Sequence, residues 1–312
     1  MSDAPTTWRP DDMPSLAGLT AVVTGPTVGG LGFHTAYELA RNSARVILVG
    51  RNPAKVAEAA REIHASQPGA DLGMVEADLS RLDSVRRAAD DLLTESRIDL
   101  LVNNAGVMAP QPAQTVDGLD LQMATNHFGP FLLTGLLFPK LSEAPAGRVV
   151  TVSSQMHRIA RSAPLSDPRR THGTVWRWTG YGQAKLANLL FTYELQRRLD
   201  AGGHRVRALA AHPGFAGTHL AVNSQVPQSS RRRASILDAT IRAVSQSAAQ
   251  GAWPTLMAAT ADLPGGSYVG PRGVAEFSGE PTLVTPHAMA LDEVSQRRLW
   301  EISEEAVGLV WP

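Results

Sequence analysis

The chain has 312 residues, enough for one large domain or two small ones, and for a core that needs no disulfide or metal to hold it. Lys+Arg and Asp+Glu both number 29, so the net charge is zero and nothing draws the whole chain toward nucleic acid or anionic lipid. Cysteine is absent, which excludes disulfide scaffolds, thiolate metal sites, iron–sulfur clusters and cysteine nucleophiles.

The start, MSDAPTTWRPDDMPS, is acidic and proline-rich, without the basic start and apolar run of a signal peptide. The longest uncharged apolar stretch, 128–139, is too short for a membrane span and holds Pro130 and Pro139. A cytoplasmic protein with no membrane span is expected. Residues 1–15 read as an N-terminal extension and 16–312 as one domain. A strand is predicted over 19–24, then a glycine run, then an amphipathic helix over 32–42. RVILVG at 45–50 is a second strand, followed by a helix over 53–66 with Pro53 in its first turn. Further strands are predicted at 72–77, 98–103, 148–153 and 205–211, and helices at 80–95, 115–141 and 180–200. Near-continuous apolar strands alternating with helices predict an α/β fold whose parallel sheet is covered on both faces. Right-handed crossovers make it doubly wound, with ligands at the carboxyl ends of the strands. The last third is less regular. It has a basic run at 231–233, a helical pattern over 236–259, Pro/Gly-rich turns around Tyr268 and a final amphipathic helix over 291–305.

The first strand runs into Thr24-Gly25-Pro26-Thr27-Val28-Gly29-Gly30-Leu31-Gly32, and a helix follows. Glycines in this setting let the backbone approach a pyrophosphate, whose charge a helix N-terminus favours; a purely structural turn is the competing reading. No Gly-Lys-Ser/Thr follows, which disfavours a Walker phosphate loop. The second strand ends in Gly50-Arg51 rather than in a carboxylate. A carboxylate would bind the ribose 2′-hydroxyl of NAD, whereas a guanidinium suits a 2′-phosphate, so NADP(H) is favoured over NAD(H). The competing reading of Arg51 is a solvated surface arginine.

Tyr181 and Lys185 stand four apart on a predicted helix and so share a face. A free phenol titrates near about 10, too high for proton exchange at neutral pH, and a nearby ammonium is expected to lower it. With these belong Asp78, the run Asn103-Asn104-Ala105-Gly106, Asn126, Ser153-Ser154, Tyr181-Gly182-Gln183-Ala184-Lys185, and His212-Pro213-Gly214 with Thr218. Together with the glycine loop they resemble the short-chain dehydrogenase/reductase family, in its retinol dehydrogenase-like and protochlorophyllide reductase-like branch, over about 16–308.

The resemblance implies a single Rossmann-type domain with a C-terminal substrate lid over about 219–260. It implies an oxidoreductase that interconverts an alcohol and a carbonyl by hydride transfer. Tyr181 would exchange a proton with the substrate oxygen, and Lys185 would tune it and hold the nicotinamide ribose. Ser154, preferred to Ser153 as the residue directly after the strand, would hydrogen-bond the substrate oxygen. Asn126 would help position a water that continues the proton path. Gly25, Gly30, Leu31 and Gly32 fall at the pyrophosphate, and Asp78 and Leu79 at the adenine edge. Asn104, Ala105 and Gly106 fall beside the cofactor, and Pro213, Gly214 and Thr218 beside the nicotinamide carboxamide.

Each element also has a plainer reading. Asp78 could cap the following helix, Asn103 and Asn104 could be turn residues, and His157 and His212 are better read as hydrogen-bonded structural histidines. No His/Asp/Glu cluster has metal-ligand spacing, so no metal is expected. Two features depart from the family pattern. Four residues rather than the usual three separate Gly25 from Gly30, so Gly29 or a neighbour is an insertion, and Pro26 cannot donate a backbone hydrogen bond. Ala184 stands where a serine is common.

The segment between Ser154 and Tyr181 carries Arg158, Arg161, Arg169, Arg170, Trp176, Arg177 and Trp178, which either border the substrate entrance or pack on the fold. A small, lipophilic alcohol or carbonyl is the substrate suggested by analogy. Homodimers or homotetramers are implied through the helices of Asn126 and Tyr181; Leu186, Leu189, Leu190 and Phe191 are either their contacts or internal core. The alternative function is a dinucleotide-binding sensor of the same fold with a weak or lost reaction. A nucleotide-sugar epimerase is disfavoured by the glycine spacing and by its usual longer substrate domain.

Overall fold

The apolar runs align as one sheet built from β1 (Thr20–Thr24), β2 (Arg45–Gly50), β3 (Leu72–Glu76), β4 (Leu100–Asn103), β5 (Arg148–Val152), β6 (Arg207–Ala211), β7 (Tyr268–Pro271) and β8 (Pro281–Leu283). This computed structural model describes residues 7–160, 162–163, 177–215 and 246–312. The strand order is β3-β2-β1-β4-β5-β6-β7-β8. All neighbours are parallel except β7 and β8, which pair antiparallel. The order reverses between β1 and β4, which opens the crevice where such sheets bind ligands.

The helices are α1 (Leu31–Arg41), α2 (Pro53–Ser66), α3 (Leu82–Leu93), α4 (Leu121–Met123), α5 (Gly129–Glu143), α6 (Arg177–Ala201), α7 (Ala248–Thr260) and α8 (Glu293–Val307). Val23, Leu48, Leu39, Ile63 and Leu256 form the core on the α1, α2 and α7 face. Val22, Ile47, Leu92, Leu133 and Leu190 form the core on the α3, α5 and α6 face. Burial on both faces explains why β1, β2, β4, β5 and β6 lack alternation. Local chemistry sets the helix ends. Asn52 Oδ1 accepts from Ala54 N and Lys55 N at 3.0 and 3.2 Å, with Pro53 in the first turn of α2. Gly308, at φ 62°, closes α8. Among the described residues no helix is long and apolar enough to cross a membrane.

Several expectations change. The helix predicted over 115–141 starts only at Leu121, where Asp120 accepts from Gln122 N and Met123 N at 3.0 and 2.9 Å. Before it, Thr115 N donates to Leu119 O at 2.8 Å across a turn with Gly118 at φ 76°. The turns predicted around Tyr268 are β7 and β8, too short to show a strand period and carrying Gly270 and Pro271 as if in a loop. Of the stretch predicted as a lid, 219–245 lies outside the described residues, and 248–260 form α7, packed on α1 and the sheet. Trp8 and Met13 are buried against the core, and Arg9 and Asp11 pair with Glu280 and Arg41 at 2.9 and 2.8 Å.

Leu186, Leu189, Leu190 and Phe191 are buried within the single chain. Phe191 stacks on Trp300 of α8 with ring centres 5.9 Å apart, and Trp300 meets Trp311 at 4.8 Å. The internal-core reading therefore describes these four side chains.

Candidate active site

The crevice at the β1/β4 switch is laced together by side chains. Thr24 Oγ1 donates to Val102 O at 3.2 Å and accepts from Asn104 N and Ala105 N, both at 3.0 Å. Asn104 Nδ2 donates to the carbonyls of Thr24 at 2.7 Å and Gly25 at 3.3 Å. The Asn103–Gly106 run thus clamps the glycine loop to β4. The loop must be glycine to come this close. A Cβ on Gly25 (φ 72°) would lie 2.9 Å from Ala105 Cα, and one on Gly32 would strike Asn104 Nδ2 and the Gly25 carbonyl. The additional loop residue is taken up by a β-turn, in which Gly30 N donates to Thr27 O at 2.9 Å and Gly29 adopts φ 75°. Gly30 starts α1 without a side-chain cap among the described residues, so the first-turn N–H groups of Leu31 and Gly32 stand open at the loop.

Pro26 packs beside Gly50, where a Cβ would lie 3.6 Å from Pro26 Cδ. Arg51 follows at the end of β2, exposed and without an ion pair among the described residues. Asp78 Oδ1 accepts from Ser80 N at 3.0 Å and Ser80 Oγ at 2.7 Å. It does not cap α3, which begins two residues beyond Ser80. The Leu79 carbonyl backs directly onto Gly129 at the head of α5.

Ser153 and Ser154, adjacent in sequence, face different surroundings. Ser153 is buried; its Oγ donates to Lys185 O at 2.8 Å, fastening α6 to β5. Ser154 is partly exposed, accepts from Met156 N at 3.2 Å, and lies close enough to the Tyr181 phenol to act on it. Tyr181 and Lys185 are 6% and 4% exposed, which makes the phenol–ammonium pair internal to the fold. Lys185 Nζ donates to Val152 O at 3.0 Å and lies 5.7 Å from the centre of the Tyr181 ring. Asn126 sits in a π turn, Ala124–Phe128, that leads into α5. Its Oδ1 accepts from Val107 N at 2.7 Å and its Nδ2 donates to Val107 O at 2.9 Å. Gly106 fits between Asn126 and Lys185: a Cβ there would lie 2.9 Å from Asn126 Oδ1 and 3.6 Å from Lys185 Nζ.

Burial governs the electrostatics. It pulls the Lys185 ammonium down to about 8. It pushes the Tyr181 phenol up to about 12, with nearby Ser154 acting in the opposite, smaller sense. Burial thus sets the direction of the Tyr181 shift, opposite to the lowering expected from a neighbouring ammonium. The ammonium lies over the ring and bonds Val152 O, so the cost of desolvating a phenolate prevails.

His157 and His212 are both buried and hydrogen-bonded. His157 Nδ1 donates to Ser154 O at 2.7 Å and its Nε2 accepts from His287 N at 3.0 Å; burial holds it down at about 4. His212 Nε2 donates to Glu276 Oε2 at 2.9 Å and its Nδ1 accepts from Gly214 N at 3.2 Å. Gln155 and Arg158 also donate to Glu276. Glu276 carried no signal in the sequence, because it stands in a short turn with no motif around it. Thr218, Arg161, Arg169, Arg170 and Trp176 lie outside the described residues. The Arg177 carbonyl accepts from Gln122 Nε2 at 3.1 Å, and Trp178 is exposed at the start of α6.

The donor set fits a nicotinamide dinucleotide. Lys185 uses one of its three N–H groups on Val152 O among the described residues, leaving donors for a ribose diol. The uncapped start of α1 suits a pyrophosphate. A separate depression of about 400 Å³ lies at the amino ends of β5 and β6, beside Arg148, His204 and Arg207. Its cations already serve the fold: Arg148 donates to Ala258 O and Ala261 O, and Arg207 to Asp262 and Leu263 O.

A short chain dehydrogenase family model matches residues 19–164. Retinol dehydrogenase 12 of Mus musculus is 34% identical over 299 residues, covering 95% of this chain and 88% of that protein. Retinol dehydrogenase 13 of Homo sapiens is 34% identical over 305 residues, covering 96% and 87%. Among solved structures, an uncharacterized protein from Mycobacterium paratuberculosis is 42% identical with a TM-score of 0.80, covering 98% of this chain and 100% of that one. A protein described as an NAD(P)-dependent gluconate 5-dehydrogenase from Beutenbergia cavernae, solved with NADP at low occupancy, is 28% identical with a TM-score of 0.57, covering 79% and 91%. Alike in sequence over nearly its whole length and alike in fold, the chain belongs to the short-chain dehydrogenase family, in its retinol dehydrogenase-like branch, and is an NAD(P)-dependent oxidoreductase acting on alcohols and carbonyls.

Proposed function

We propose that Tyr181, Lys185, Ser154 and Asn126 carry the reaction, with NADP(H) preferred over NAD(H). The observation that carries this reading is Tyr181 and Lys185 buried together on α6, with the ammonium 5.7 Å from the centre of the phenol ring. Ser154, half-exposed beside that phenol, orients the substrate oxygen. Tyr181 passes its proton to a carbonyl oxygen in reduction and takes it back from the alcohol in oxidation. When bound, NADP(H) supplies or accepts the hydride. Lys185 holds the ribose with its free donors and stabilises the phenolate as the proton leaves. Asn126 anchors the Val107 main chain beside Lys185, where a water would extend the proton path. Holding these groups before substrate arrives is what lets positioning lower the barrier.

Arg51 supports the NADP(H) preference, because an exposed guanidinium beside the glycine loop suits a 2′-phosphate. The adenine edge falls to Asp78 and Leu79, and the carboxamide to Pro213 and Gly214. Exposed Ile159, Phe215 and Phe277, with rings of the last two 6.0 Å apart, favour a lipophilic substrate. A homodimer or homotetramer would join through surfaces other than Leu186, Leu189, Leu190 and Phe191, which are buried within the single chain. Absence of cysteine supports a cytoplasmic location.

The test is Tyr181→Phe, assayed with NADPH over a panel of aldehydes and ketones. The variant should lose turnover and keep NADPH binding. Retained turnover overturns the assignment, and wild-type NADPH binding without turnover across the panel points to a sensor.

A further inference from the structure

Glu276, in the turn between β7 and β8, is held from both halves of the site. From the segment after β6, His212 Nε2 donates to Oε2 at 2.9 Å. From the turn that Ser154 begins, Gln155 Nε2 donates to the same oxygen and Arg158 Nη2 to Oε1 at 3.3 Å. Gln155 and Arg158 act as one unit, since Arg158 Nε donates to Gln155 Oε1 at 2.9 Å. His212 carries the connection onward, accepting from Gly214 N at 3.2 Å. The main chain repeats the link, with Phe215 N donating to Phe277 O at 2.7 Å.

The backbone is bent to make this possible. Ala275 and Glu276 stand at φ 51° and 56°, two consecutive non-glycine residues in the left-handed region. Strain of this kind persists where surrounding contacts hold it, and it clusters at functional sites. Here it turns the carboxylate inward toward a fully buried imidazole. Gly270 belongs to the same arrangement, because a Cβ there would strike the His212 ring.

We propose that Glu276 is a positioning residue that sets the distance between the Ser154 hydroxyl and the Pro213–Gly214 segment. It thereby sets the nicotinamide end of the cofactor against the substrate oxygen. The inference rests on the roles proposed above for those two segments. A carboxylate suits this bridging role because it is acceptor-only and takes charge-assisted bonds from both sides at once. A glutamine would turn its own N–H groups toward one set of donors and break the link on that side. Small misplacements of a bound cofactor cost rate steeply, so the effect should reach turnover.

The test uses the full chain with Glu276→Gln and Glu276→Gly, the second removing the carboxylate while suiting a left-handed backbone. Three quantities are read: Kd for NADPH, Kd for 2′,5′-ADP, which lacks the nicotinamide, and the melting temperature. Reduction of nonanal by NADPH is followed alongside. Both variants should weaken NADPH by about tenfold, keep 2′,5′-ADP within about twofold, and lower kcat for nonanal more than they raise its KM. Unchanged affinity for both ligands overturns the proposal. Equal loss of both ligands with a lowered melting temperature in both variants also overturns it, assigning Glu276 to the fold alone. Wild-type protein that binds neither ligand refutes the reading of the site itself, and this inference with it. The binding ratio decides whether or not nonanal is turned over.

Discussion

The Lys185 ammonium donates to the Val152 carbonyl at 3.0 Å and has no carboxylate partner among the described residues. A carbonyl only partly repays the loss of water, which is why burial pulls this lysine down to about 8. Its folded value lies below the unfolded one, so the unfolded chain binds the extra proton between about 8 and 10.5, and below that window the full cost falls on the fold. Lys185→Met should therefore stabilise the cofactor-free chain at pH 7 by about 2 kcal/mol while removing turnover. The gain should shrink as pH rises through 8 toward 10.5. Urea unfolding of both proteins at pH 7 and pH 10 checks this; a destabilised variant at pH 7 contradicts it.

The two adjacent serines should separate cleanly. Ser153 ties α6 to β5 through Lys185 O, so Ser153→Ala should cost about 1 kcal/mol and leave much of the turnover. Ser154→Ala should leave stability nearly unchanged and lower kcat by about 100-fold, as expected for the loss of a donor to the reacting oxygen. Chemical denaturation and steady-state kinetics on both variants distinguish them, and the reverse pattern would exchange their roles.

Arg51 offers its charge at the end of β2 without an ion pair among the described residues. Arg51→Ala should weaken NADPH by about tenfold or more, because one charge-assisted contact to the 2′-phosphate is lost. NADH affinity should stay within about twofold, since no phosphate meets that position. Calorimetric titration with both cofactors reads the difference directly. An equal fall for both would place the 2′-phosphate elsewhere.

Two buried histidines make stability depend on acid. Burial holds His127 at about 3 and His157 at about 4, against about 6.5 in an unfolded chain. Between those values the unfolded chain binds more protons, so stability is fully present above pH 6.5 and falls as pH drops toward 4. Each contributes a slope of about 1.4 kcal/mol per pH unit inside its window. Urea unfolding between pH 4.5 and 7 should show that decline, and it should be shallower in His127→Gln. A flat profile in the wild type would mean that neither site stays neutral when folded.

Much of this protein is written locally. The strands and helices of the first two hundred residues follow from apolar runs, helical periodicity, the Asn52-Pro53 cap and the glycine turn after β1, because each of these is decided by neighbours in the chain. The four-residue spacing of Tyr181 and Lys185 likewise needs only a helix to put both on one face. The helix predicted over 115–141 is shortened by a Gly118 turn and the Asp120 cap, both within the same stretch.

What only the tertiary structure decided depends on residues far apart in sequence and on exclusion of water. Thr24 and Asn104, eighty residues apart, hold the glycine loop closed onto β4. Ser153 and Ser154 differ only because α6 takes one into the core and leaves the other beside Tyr181. The Tyr181 phenol is pushed up rather than down because burial, which no spacing reports, dominates its surroundings. Phe191 is core because α8, a hundred residues later, stacks Trp300 on it. Glu276 joins the site through a strained turn between two very short strands, where local sequence offered only glycines and prolines to read.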